Sequence, residues 1–150
     1  MGKKRKSFTQ GIRNSSLLNK SAHLNKIGIR AFQKGHYLES AIIYFQTVEF
    51  CLRLVIHLLA MRAGVSESPT KIVEDEQSFY RLVLYLDLLK PGNILSQRLL
   101  KFNKHRNEFI HGLYYAELSE AYENKLKSFC LEGKDLIHRL LTEIGLREDD

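Results

Sequence analysis

Arg106 and His111 are the side chains in this sequence best suited to chemistry. They stand five positions apart in Lys104-His105-Arg106-Asn107-Glu108-Phe109-Ile110-His111-Gly112, a stretch that reads as the end of a helix. An imidazole gains and loses protons near neutral pH, and a guanidinium stabilises charge building on phosphate oxygens. On a regular helix a spacing of five turns the two side chains about 140° apart. They converge only if the helix unwinds at His111, for which Gly112 is a natural C′ residue, or if a second copy of the chain completes the site.

The surroundings of the pair are as informative as the pair. Leu95, Leu99, Phe102, Phe109 and Leu113 form an apolar seam with alternating steps of four and three, and Arg106 fills a slot where a leucine is expected. A charge at a seam is paired or functional, because burying it alone costs several kcal/mol. Glu49 is the candidate partner; the plainer alternative is a snorkelling arginine at the bundle edge. Ser96, Asn103, Asn107 and His111 make a second row, polar but almost uncharged, with Asn103 and Asn107 as supporting groups. His105 reads as facing solvent. A further polar stripe, Gln46, Glu49, Arg53 and His57, runs down the helix before. It is either an exposed face with a Glu49–Arg53 pair or the lining of an internal or interfacial site.

The elements that must position these groups are all helical by period. Ser21 is placed as the cap of a first helix reaching Lys34, with Gly35 ending it. The second, from about Tyr37 to Ala63, is apolar nearly all round and so is predicted to be buried at the centre. Residues 64–77 form a loop in which Asp75 is a candidate cap. A third helix spans about Ser78 to Lys90, stopped by Pro91-Gly92; a fourth spans Ile94 to His111; a fifth spans Leu118 to Ile144. No segment has the period of a strand. The expected fold class is all-α, an up-and-down bundle of four to five helices.

At 150 residues the chain reads as one domain. We divide it into a disordered basic arm (1–20), a bundle (21–146) and a charged tail (147–150). The net charge of +6 belongs to the arm. Residues 1–30 hold eight basic side chains and no acidic ones, leaving 15 of the 23 basic residues against all 17 acidic ones. Lys3, Lys4, Arg5, Lys6 and Arg13 in that arm suit a polyanion such as nucleic acid, a nuclear localisation patch, or simple solubility. Cys51 and Cys130 have neither disulfide-framework nor zinc spacing, which indicates a reducing compartment. No secretory signal is evident, and Gln46, Glu49, Arg53 and His57 interrupt the longest apolar run, so no membrane span is expected and the location read is cytoplasmic. There is no HExxH, no paired-carboxylate spacing and no phosphate-binding glycine loop, so no metal or cofactor is expected.

Two segments resemble the HEPN superfamily: Arg106-Asn107-Glu108-Phe109-Ile110-His111, similar to its R-N-x-x-x-H motif, and the hairpin Gly35-x-Tyr37-x-x-Ala41 leading into Phe45-Gln46-x-Val48-Glu49-x-x-Leu52. The resemblance spans about residues 21–145. It implies a bundle that forms a homodimer with both motifs facing one cleft, and metal-independent cleavage of RNA, as a toxin or a defence or RNA-processing factor. His111 would be general acid or base, Arg106 would stabilise the transition state, and Asn107 would position the histidine or the phosphate. A cognate antitoxin or other protein partner belongs to the same expectation. Leu113 stands where the toxin branch paired with a nucleotidyltransferase has a tyrosine, with Tyr114 and Tyr115 following. Other members use the bundle without catalysis, for dimerisation or nucleotide binding, and that is the alternative.

Overall fold

The computed structural model describes residues 16–65, 75, 76, 78–112 and 119–145, and every element among them is helical. In chain order these are α1 (Ser16–Gln33), α2 (Tyr37–Arg62), α3 (Phe79–Leu89), α4 (Leu95–Gly112) and α5 (Glu120–Arg139). A wider π-helical turn, Leu140–Gly145, continues α5. Each helix packs on its predecessor, and α2 also lies along α5, giving a helical bundle.

α2 holds the centre because its sequence offers no polar face wide enough to meet water. Val48, Cys51, Leu52, Val55 and Ile56 are fully buried, against Leu82, Val83 and Leu86 of α3, Leu95, Leu99 and Phe102 of α4, and Leu126, Phe129 and Leu136 of α5. By length and composition alone α2 could cross a membrane, but more than half of its most apolar window is buried in the bundle. Gly35 closes α1 at φ +78°, a left-handed conformation that strains any side chain with a Cβ. The Gly35 amide then donates to Phe32 O and the His36 amide to Ala31 O, which satisfies the helix's last carbonyls and reverses the chain into α2.

Several boundaries differ from the sequence expectation. α1 starts at Ser16, so residues 16–20 of the expected disordered arm are helical, and Ser21 is no cap: it is buried in mid-helix, hydrogen-bonded to Cys51. Lys3, Lys4, Arg5, Lys6 and Arg13 lie outside the described residues, as does the charged tail 147–150. The cap of α3 is Ser78, whose hydroxyl accepts from the Arg81 amide; Asp75 has no such role, and Glu76 accepts from the Ser78 amide instead. α5 begins at Glu120 under a Ser119 cap, two residues later than expected.

Candidate functional site

α4 carries the candidate residues, and its first turn is fixed by Asn93. The Asn93 Oδ1 accepts from the Leu95 and Ser96 amides at 3.1 and 3.0 Å, while its Nδ2 donates to Asp87 and to the Lys90 carbonyl. Ser96, the first member of the polar row, donates to Asp87 and is buried. The middle of α4 is anchored by Phe102, which stacks on Phe129 of α5 with centroids 4.1 Å apart and lies 5.8 Å from Phe45 of α2. Arg98 adds a polar clamp. It grips Glu132 through two 3.0 Å hydrogen bonds and Asp135 through one of 2.7 Å, and Asp135 also accepts from Arg139. The two guanidinium groups hold the Asp135 carboxyl below the ordinary aspartate range.

Arg106 is half-buried in its seam slot, and its guanidinium lies 4.5 Å from the centre of the Phe45 ring. Its Nη1 donates to Asn107 Oδ1 at 3.0 Å. Its partners are therefore an aromatic face and an amide. The expected Glu49 partnership does not form: Glu49 accepts from Arg53, one turn along the same helix, at 3.2 Å. The i,i+4 spacing puts Glu49 and Arg53 on one face of α2, within reach of each other without a second helix. The Arg53 side chain is only 13% exposed, so this stripe is half-buried rather than a solvated face.

α4 stays helical through Gly112, and Gly112 does not adopt positive φ, so the chain does not unwind at His111 and Gly112 is not a C′ residue. His111 is exposed. It lines a shallow depression of about 500 Å³ with Asn103, Asn107, Tyr80, Leu100 and Glu108. Arg106 instead lines a small apolar cleft of about 120 Å³ with Phe45, Gln46, Ile42 and Ile110. One chain thus gathers Asn103, Asn107 and His111 in one depression and directs the Arg106 head to another, with the Arg106–Asn107 hydrogen bond joining the two. Glu49 is in neither.

The groove between α4 and α5 is not legible in the sequence. His105, expected to face solvent, is half-buried in its wall. The groove follows from contacts between residues more than 30 positions apart, such as Arg98 with Glu132, which no local spacing announces. Among the described residues no group of three or more His, Cys, Asp or Glu side chains is arranged to hold a metal ion. No protein-family model, curated protein or solved structure matches this chain. What the fold defines is a class, an all-helical bundle with a polar, cationic end on α4.

Proposed function

We propose that this chain is a metal-independent endoribonuclease of the HEPN type, acting as a homodimer at a site built from both copies. The observation that carries the reading is the state of Arg106. Arg53, Arg81, Arg98 and Arg139 each hold a carboxylate. Arg106 is held in place by a ring face and an amide, which leaves its full charge to a phosphate. Because His111 lies on another side of α4, the reading requires a second copy. Ile42 and Ile110, 49% and 42% exposed, flank Arg106 and give that copy an apolar surface to cover.

RNA brings its own nucleophile. One His111 takes the proton from the 2′-hydroxyl, and that oxygen attacks the adjacent phosphorus. The bond from phosphorus to the 5′-oxygen breaks, and the second copy's His111 protonates the leaving oxygen. Arg106 stabilises the charge on the non-bridging oxygens, and Asn107 orients Arg106. The products are a 2′,3′-cyclic phosphate and a 5′-hydroxyl. The test is incubation of single-stranded RNA with the purified chain in EDTA. Cleavage is expected, and Arg106→Ala and His111→Ala are each expected to lower it by about 100-fold or more with helicity and dimer retained. A folded dimer that cleaves none of a varied set of RNAs would instead be a dimerisation or nucleotide-binding module.

A further inference from the structure

We infer that the groove between α4 and α5 is a second RNA subsite, seating the nucleotide next to the one held at the His111 depression. This rests on the ribonuclease reading and names where its substrate strand runs. The groove encloses about 730 Å³, within the range of roughly 300–1,000 Å³ usual for small-molecule sites. Its floor is apolar, formed by Phe109 and Phe129, and its rim is polar, formed by Lys101, His105, Lys125 and Ser128.

Charge decides the ligand class. Arg98 and Glu132 both line the groove but are spent on each other. Against Glu108 that leaves Lys101 and Lys125, both exposed and neither in an ion pair among the described residues, with His105 beside them. The groove is therefore cationic over an apolar floor, which suits a phosphate with its ribose and base. Continuity decides that the ligand is a strand rather than a lone anion. Glu108 lines both the groove and the His111 depression, so the two adjoin, and Lys104 extends the basic rim into the second. A chain whose phosphates repeat can lie in both depressions at once. The Arg98 clamp to Glu132 and Asp135 fixes the spacing of the two helices, so the groove is preformed.

The test uses the full chain carrying His111→Ala, so that RNA survives the measurement, and a fluorescein-labelled single-stranded RNA read by anisotropy across a salt series. Adding Lys101→Glu and Lys125→Glu is expected to weaken binding by about tenfold or more. It should also reduce the slope of log affinity against log salt by about 1.4, two phosphate contacts at roughly 0.7 each. Ser128→Trp, at an exposed position on the groove wall, fills the groove without changing charge and is expected to weaken binding several-fold. Helicity by circular dichroism verifies that each variant folds. An unchanged slope in the double lysine variant, unchanged affinity in Ser128→Trp, or no RNA binding by the parent overturns the subsite. Weakened binding in a chain whose wild type cleaves nothing keeps the subsite and removes the nuclease; cleavage with binding unaltered by these substitutions does the reverse.

Discussion

Arg106 was conspicuous in the sequence because a guanidinium stood in a leucine slot, and packing alone required it to have a partner. The partner proved to be Phe45, one helical turn before Glu49 on the same side of α2. The leucine-slot position of Arg106 points to the right helix and the right face, but charge pattern alone favours a carboxylate, because ring faces carry no formal charge to count. A cation over an aromatic ring is worth about 0.5–2 kcal/mol, and more so when desolvated. Local spacing did put His111 and Arg106 about 140° apart on an unbroken helix; which depression each opens onto depends on how α2 and α3 flank α4. The cysteines give a sharper residue-scale expectation. Burial raises the Cys51 thiol to about 12, only partly offset by the Ser21 hydrogen bond, and burial also raises Cys130. Neither thiol is expected to react with iodoacetamide in the native protein, and labelling followed by mass spectrometry should track unfolding. Rapid native labelling of either would contradict their burial.

At the scale of the element, helix existence was legible and helix starts were less so. Ser21 has the residue type of a cap, yet it is buried against Cys51, because a serine hydroxyl that finds a partner across the interface is tolerated in mid-helix. Ser78, Ser119 and Asn93 do cap, and type alone did not separate them from Ser21. The α4–α5 junction carries a pH expectation. The Asp135 carboxyl is held below its ordinary value first by Arg98 and then by Arg139. Its contribution to stability is therefore fully present above the ordinary aspartate value of about 4 and is lost as pH falls through the lower folded value. Asp135→Asn is expected to lower the urea midpoint near neutral pH, with the difference from wild type shrinking toward zero in acid. Urea titrations across pH check this, and a constant difference would refute the clamp's role.

For the whole molecule, the all-helical class followed from the absence of any period-two segment and from α2 being apolar on nearly every side. How closely the helices approach did not follow, and Gly133 sets it. A Cβ built at Gly133 meets the Tyr44 Cβ at 3.1 Å and the Phe102 ring at 3.2 Å, so α5 lies on α2 more closely than most side chains allow. Gly133→Ala gains up to about 1 kcal/mol of helix propensity, but the Tyr44 Cβ is fixed to its backbone and cannot swing aside, so overpacking of about 1–3 kcal/mol is expected to outweigh it and lower the thermal midpoint. The helical period places this glycine in mid-helix, but nothing in the sequence announces the close contact it allows. Phe102, which it meets, stacks between Phe45 and Phe129, and Phe102 and Phe129 line the α4–α5 groove. The chain contains no tryptophan, so its chiral optical signature in the near ultraviolet comes from seven tyrosines and eight phenylalanines, with this stack among them. The fold therefore carries an intrinsic reporter of its own interior. Loss of native packing around these rings would register in the phenylalanine and tyrosine bands without any label.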